Sequence, residues 1–151
     1  MNLQFKRLTA GASTPRRATI GSAGWDITVD TTDWSINALA YGVSVTPNRP
    51  ISFRTGLAFV VPDDHVLLVF SRSGHAFKSN TRLANCVGVI DSDYRGELMV
   101  RLTCDYGQLI VNSGDRIAQA VLLQLPRANL VEVEHLPQTA RGTGGLGSTG
   151  A

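Results

Sequence analysis

The sequence predicts an all-β sandwich or jelly roll, and three observations carry that prediction. Short apolar segments of roughly four to eight residues recur along the whole chain. Turn residues, mainly Gly, Pro, Asn, Asp and Ser, separate one segment from the next. A sustained 3.6-residue period, which would indicate an amphipathic helix, does not occur, and only one short helix is predicted, near residues 75–80.

The predicted strands follow from alternation and from continuous apolar runs. Residues 51–61 contain two short apolar patterns, broken at Arg54-Thr55-Gly56. The run from His65 to Phe70 is continuous, which is typical of a strand buried on both faces. In chain order, strands are predicted within residues 1–8, 26–29, 43–45, 51–61, 65–70, 83–90, 97–104, 106–110, 116–125 and 130–133.

Length and charge limit the possible function classes. A chain of 151 residues is long enough for one domain with its own core, and 43% hydrophobic with 17% charged residues is typical of a globular protein. The formal charge of +2 is too small for bulk electrostatic binding, so direct nucleic-acid binding is not expected. No apolar segment is long enough for a signal peptide or membrane span, and we expect a cytoplasmic protein with no membrane partner.

The composition changes near the C-terminus. Residues 141–150 hold five of the 15 glycines of the protein. Such a segment cannot bury enough apolar surface to order itself. We therefore divide the chain into a β domain, residues 1–136, and a flexible arm, residues 137–151. Cys86 and Cys104 lie in apolar or strand-like sequence and are expected to be free, buried thiols.

The central motif is Gly88-Val89-Ile90-Asp91-Ser92-Asp93-Tyr94-Arg95-Gly96-Glu97. Apolar residues precede the two acids, and an alternating strand follows them. A carboxylate on a turn between strands is well placed to hold a water against a reacting atom. The alternative is a hairpin in which Asp-Ser-Asp only satisfies turn geometry.

A second motif, Ser71-Arg72-Ser73-Gly74, follows the buried strand and offers a guanidinium, hydroxyls and a flexible backbone to an anion. The alternative is a polar strand end. Gln119 is a polar residue in an apolar strand, where it faces a ligand or satisfies a buried backbone group. The histidines have no partners at zinc-ligand spacing, and the acids favour Mg²⁺ held largely by phosphates.

Five stretches together resemble the homotrimeric dUTPases. They cover nearly the full chain in the family order: Ser22-Ala23-Gly24-Trp25-Asp26, Arg72-Ser73-Gly74, the run from Asn85 to Gly96, Gly114-Asp115-Arg116-Ile117-Ala118-Gln119, and the arm from Arg141 to Gly150. The resemblance implies a distorted jelly-roll (β-clip) subunit in a three-fold trimer with active sites at the interfaces. It also implies Mg²⁺-dependent hydrolysis of dUTP to dUMP and pyrophosphate, which limits uracil in DNA and supplies dUMP for dTMP synthesis.

The resemblance also implies roles for individual residues. Asp91 would activate the water that attacks the α-phosphorus, and Asp26 would contact Mg²⁺ through water. Tyr94 would pack under the deoxyribose. The remaining substrate contacts implied are Asn85 and Gly88 for uracil, Arg72, Ser73, Gly74 and Gln119 for the α- and β-phosphates, and Arg141, Leu146, Gly147, Ser148 and Thr149 in the closing arm.

The chain departs from the family pattern at three positions. Leu146 replaces the usual Phe that stacks on uracil, a loss of about 0.5–1.5 kcal/mol that should leave catalysis intact but weaken closure. Ser71 and Trp25 stand where Pro and where Tyr or Leu are usual. Two alternatives remain: a dCTP deaminase-type enzyme, and a regulatory binding protein built on the same fold.

Overall fold

The structure, a computed structural model, describes residues 1–33, 41–146 and 148. Within that part the chain forms eleven strands and one helix. The first six strands are β1 (Gln4–Arg7), β2 (Trp25–Thr28), β3 (Val43–Val45), β4 (Ile51–Arg54), β5 (Leu57–Val60) and β6 (His65–Phe70). Helix α1 (Ser73–Ser79) follows, and then β7 (Thr81–Leu83), β8 (Gly88–Ile90), β9 (Met99–Cys104), β10 (Leu109–Val111) and β11 (Arg116–Gln124).

The strands form four small antiparallel sheets. The largest has the order β2-β11-β6-β8, and a three-stranded sheet has the order β4-β9-β7. Two pairs, β1-β5 and β10-β3, complete the set. The prediction of an all-β fold with a single short helix is confirmed. In the described part of the chain, no helix is long and apolar enough to cross a membrane.

Apolar side chains from all four sheets meet in one core. Its fully buried members include Phe53, Ile27, Leu67, Leu102 and Ile117. Strand β9 buries Val100 and Leu102 and exposes Met99 and Arg101, which matches the predicted alternation. Both cysteines are free thiols as expected, although Cys86 is exposed rather than buried.

One predicted strand is absent, and the hairpin given as the alternative for the central motif does not form. Residues 130–133 form no strand, because no strand of the described chain lies beside them, and Leu130 and Val131 are exposed. The central turn does not close a hairpin either. Strand β8 pairs with β6, whereas β9 pairs with β4 and β7, so the turn carries the chain from one sheet to another.

A buried carboxylate fastens the loop after β2 to the rest of the domain. Asp30 accepts hydrogen bonds from Thr9 Oγ1 (2.6 Å), from Thr32 N (2.9 Å) and from Thr32 Oγ1 (2.8 Å). Its backbone N–H donates to the carbonyl of Arg54 (2.9 Å). Burial raises the pKa of Asp30, but these hydrogen bonds and the Arg54 charge together outweigh burial and leave the pKa below its ordinary value.

We expect Asp30→Ala to lower the free energy of unfolding by about 3 kcal/mol, because three hydrogen bonds are lost and Thr9 and Thr32 keep unsatisfied donors. Denaturant unfolding near pH 7 measures this, with exposed Asp63→Ala as the control. The pKa of Asp30 is lower in the folded than in the unfolded protein, so the ionised carboxylate stabilises the fold. This contribution is fully present at pH values above the unfolded-state pKa and is lost as the pH falls through the folded-state pKa. The stability difference between wild type and Asp30→Asn should therefore shrink in acid, and a constant difference would contradict this account.

Candidate active site

The predicted phosphate-binding motif lies where β6 ends and α1 begins. Ser73 and Gly74 form the exposed first turn of α1, and Arg72 is its N-cap with no side-chain capping bond. A Cβ added to Gly74 would meet nothing within 4 Å, so packing does not require glycine there. The backbone is open to solvent, and first-turn N–H groups lack helical partners. We call Asp26, Arg72, Ser73, Gly74 and Gln119 the cradle.

Asp26 is held between two arginines. Its Oδ1 lies 3.5 Å from Arg72 Nε, and its Oδ2 accepts a hydrogen bond from Arg116 Nη1 (3.0 Å). Arg72 also donates through Nη1 to the backbone carbonyl of Arg116 (3.0 Å). The side chains of Asp26 and Arg72 are only 20% and 23% exposed, so the guanidinium of Arg72 is fixed before any ligand arrives.

His75 packs against Arg72 from the helix side. Its Nε2 lies 3.4 Å from Arg72 Nη1, and because a guanidinium only donates, Nε2 accepts and Nδ1 carries the proton. That Nδ1 is buried without a hydrogen-bond partner among the described residues. Burial, and then the Arg72 charge, lower the pKa of His75 below its ordinary value, so the imidazole is neutral at pH 7.

Gln119 takes the second of its two predicted roles, because it satisfies a backbone group. Its Nε2 donates to the backbone carbonyl of Ser71 (3.0 Å), which fixes the chain just before Arg72. Gln119 lies directly opposite Asp26 in the β2–β11 register. A β-bulge between Arg116 and Ala118 brings Arg116 to the same face as Gln119. Arg116 and His75 were not predicted to take part in the site, although both lie in or beside the five motifs.

The central turn presents Asp91 at the end of β8. Asp91 is exposed, and its carboxylate forms no ion pair or hydrogen bond with any described residue. The Tyr94 hydroxyl donates to the carbonyl of Glu97 (2.9 Å), and a Cβ on Gly96 would lie 2.4 Å from that hydroxyl. A side chain at position 96 would therefore force the Tyr94 ring to move. A cavity of about 210 Å³ is lined by both Asp91 and Tyr94.

Asn85 and Gly88 line a neighbouring cavity of about 430 Å³. Gly88 pairs with Val69 of β6, and a Cβ on Gly88 would lie only 3.1 Å from Val69 Cβ. Asn85 lies in a turn in which Cys86 has a positive φ of 63°. This second cavity is large enough for a flat heterocycle, with the Asn85 amide and turn backbone as its polar groups.

The predicted site residues thus fall into separate groups within one chain. None of the cradle residues lines either of the cavities beside the central turn. In the arm, Arg141 donates only to its own turn, to the carbonyls of Gly144 (2.9 Å) and Gly145 (3.2 Å). Leu146 is fully exposed. The predictions for Gly147 and Thr149 fall outside the described residues, and the Ser148 backbone N–H donates to the carbonyl of Gly145 (3.2 Å).

Comparison with known proteins decides between the possible families. The dUTPase family profile matches residues 10–150. This chain belongs to the dUTPase family. The deoxyuridine 5′-triphosphate nucleotidohydrolase of Caulobacter vibrioides is 38% identical to it over 98% of this chain and 94% of the relative. The enzyme of the same name from Thermobifida fusca is 36% identical over 99% of this chain and 79% of the relative.

Solved dUTPase structures share the fold. The dUTPase of Staphylococcus bacteriophage 80alpha in complex with dUpNHpp superimposes with a TM-score of 0.81 at 26% identity, covering 99% of each chain. A point variant of the dUTPase from the S. aureus phage phi11, described with a structural Mg(II) ion, has a TM-score of 0.74 at 25% identity and covers 89% of this chain and 98% of the phage chain. The predicted resemblance is confirmed, and the protein is a hydrolase of the dUTPase family.

Proposed function

We propose that this protein hydrolyses dUTP to dUMP and pyrophosphate, with Asp91 as the base for the attacking water. The observation that carries the proposal is the Asp91 carboxylate, which is exposed and has no partner in the described chain. It stands beside Tyr94 on the wall of a cavity. A carboxylate that is not neutralised by an arginine is free to orient a water and accept its proton.

The cradle supplies charge and position. Arg72 is oriented by Asp26 and His75, and its guanidinium together with the Ser73 and Gly74 backbone would hold the α- and β-phosphates. Gln119 would complete the contacts through its free Oε1 or through the Ser71 backbone that it fixes. Phosphoryl transfer depends mainly on such positioning and charge neutralisation, so a rigid cradle suits the reaction.

Substrate selection would come from the two cavities at the central turn. Asn85 and the backbone at Gly88 would pair with the uracil edge. Cytosine has an exocyclic amine, a donor, where uracil has an acceptor, so its hydrogen-bonding pattern would not match the site. The Tyr94 ring, fixed over Gly96, would support the deoxyribose and leave no room for a 2′-hydroxyl. The arm, with Arg141, Leu146, Gly147, Ser148 and Thr149, would close over the γ-phosphate and exclude water.

The donor set fits Mg²⁺ that arrives with the triphosphate. The described residues contain no group of three or more acids, histidines or cysteines able to hold a metal ion. Asp26 faces Arg72 and Arg116 with its two oxygens, so it would reach the ion only through water. When bound, Mg²⁺ neutralises phosphate charge and fixes the triphosphate in one geometry.

Separation of the cradle from Asp91 favours a site shared between copies of the chain. A base must lie within hydrogen-bond reach of its water, and the water must lie in line with the phosphorus. A three-fold homotrimer, in which one subunit supplies Asp91 and another the cradle, satisfies this requirement. Heterologous contacts that close after three copies give three equivalent sites.

The decisive test is pyrophosphate release from dUTP, dCTP, dTTP and UTP in the presence of Mg²⁺. We expect hydrolysis of dUTP alone, because the other three differ at the groups that the Asn85 turn or Tyr94 would contact. Ammonia released from dCTP would establish the deaminase alternative. Tight dUTP binding without any hydrolysis would support the alternative of a regulatory binding protein.

A further inference from the structure

A basic cavity of about 600 Å³ lies beside the cradle and is separate from the cavities at the central turn. Its polar lining includes Arg7, Arg16, Arg17, Arg116, Asp26 and Thr28. The volume is in the range of small-ligand sites. None of the roles proposed for the five family motifs uses Arg7, Arg16, Arg17 or Thr28, so those motifs do not explain what the cavity binds.

The cavity carries unbalanced positive charge. Four arginines face a single acid, and that acid already pairs with Arg116 at 3.0 Å. Arg17 lies over the Trp25 ring, 4.5 Å from its centroid. Arg7 and Arg16 form no ion pair with any acid in the described chain. Guanidinium groups crowded without acids attract an anion, and their planar forks match phosphate oxygens.

One polar atom of the cavity wall is buried without a partner. Thr28 Oγ1 is inaccessible to solvent and has no hydrogen-bond partner among the described residues. Thr28 lines the cavity and lies opposite Arg116 in the β2–β11 register. A buried hydroxyl without a partner is costly unless a ligand or water satisfies it. Since that hydroxyl is closed to solvent, the arginines are the groups of the cavity that can contact an anion.

The cavity and the cradle share one wall. Asp26 lines the cavity and touches Arg116 through Oδ2, while its Oδ1 faces Arg72 of the cradle. Arg72 donates in turn to the Arg116 backbone. The cavity and the cradle are therefore adjacent and are joined through Asp26 and Arg116.

We propose that the basic cavity is a second phosphoanion site, which takes up the pyrophosphate released from the cradle. The source of the pyrophosphate rests on the proposed function, whereas the binding chemistry rests on the cavity alone. Arg7 and Arg16 are the residues that hold the anion.

Calorimetric titration tests the site directly. The protein is first saturated with a non-hydrolysable α,β-imido analogue of dUTP, which occupies the cradle, and is then titrated with inorganic pyrophosphate at low ionic strength. We expect one pyrophosphate per chain, with orthophosphate binding more weakly because it offers fewer oxygens. Replacing Arg7 and Arg16 by Gln should weaken binding by about tenfold for each arginine, while kcat for dUTP stays unchanged.

The matched control is the double variant Arg49→Gln with Arg127→Gln, which removes the same charge from exposed positions outside the cavity that, like Arg7 and Arg16, form no ion pair in the described chain. If both double variants lose the same affinity for pyrophosphate, the effect is one of general electrostatics and the proposed site is wrong. Absence of pyrophosphate binding to the saturated wild type would overturn it as well. Hydrolysis of dUTP is measured separately, so a protein that binds pyrophosphate without hydrolysing dUTP would refute the proposed function alone.

Discussion

Asp91→Asn should lower kcat for dUTP hydrolysis by roughly 10³, with KM almost unchanged, since a positioned general base contributes about 10²–10⁴. Asparagine keeps the size of the side chain but cannot accept the proton of the attacking water. The Asp91 carboxylate forms no bond with other described residues, so its replacement breaks nothing in the fold. Steady-state pyrophosphate release measures the effect, and circular dichroism confirms that the variant is folded.

Asp93→Asn is the matched control for that experiment. Asp93 is an exposed acid two positions away on the same turn, and it does not line the cavity that contains Asp91 and Tyr94. We expect its replacement to leave kcat nearly unchanged. Equal losses at both positions would mean that the turn needs negative charge in general and that Asp91 is not the base.

Two variants that are each nearly inactive should regain activity when their chains are combined in one trimer. Arg72→Gln removes the guanidinium that Asp26 and His75 hold in place, and we expect a loss of about 10² in kcat/KM. Coexpressed Arg72→Gln and Asp91→Asn chains would form mixed trimers. If one subunit supplies the cradle and another supplies Asp91, about one quarter of the sites receive both intact residues.

Activity of the mixed population is compared with each variant alone and with equal amounts of the two variants mixed after folding. Recovery only on coexpression identifies a site shared between chains. Activity no higher than that of the better single variant would place Arg72 and Asp91 of the same chain in one site, against the proposed arrangement. Size-exclusion chromatography with light scattering measures the number of chains in each preparation.

Most of the strands could be predicted because their side chains alternate or are continuously apolar. Strand β6, for example, is recognisable from five consecutive apolar residues, Val66 to Phe70. Pairing could not be predicted in the same way. Residues 130–133 have the composition of a strand, yet a strand forms only where a neighbour offers backbone hydrogen bonds. The assignment of β8 and β9 to different sheets depends likewise on long-range partners that local sequence does not specify.

The candidate site could likewise be predicted only in part: its residue types could be predicted, but not their contacts. The motifs identified the residue types at Asp91, Arg72 and Gln119, because acids, guanidinium groups and amides carry recognisable chemistry. The pairing of Asp26 with Arg116, 90 positions apart, depends on strand register. The basic cavity could not be predicted from the motifs either, since Arg7 and Arg16 lie outside them and meet Arg116 only in the folded domain.

The β-bulge in β11 has a consequence for how this gene can vary. Two consecutive residues, Ile117 and Ala118, are both buried in the core, and this places Arg116 and Gln119 on one face although they are an odd number of positions apart. Loss of the single codon for Ile117 or Ala118 would remove the bulge, and regular alternation would still keep Arg116 opposite Thr28 and Gln119 opposite Asp26. Such an in-frame deletion would remove one buried core side chain, so it would lower stability before it changed the face on which Arg116 and Gln119 lie.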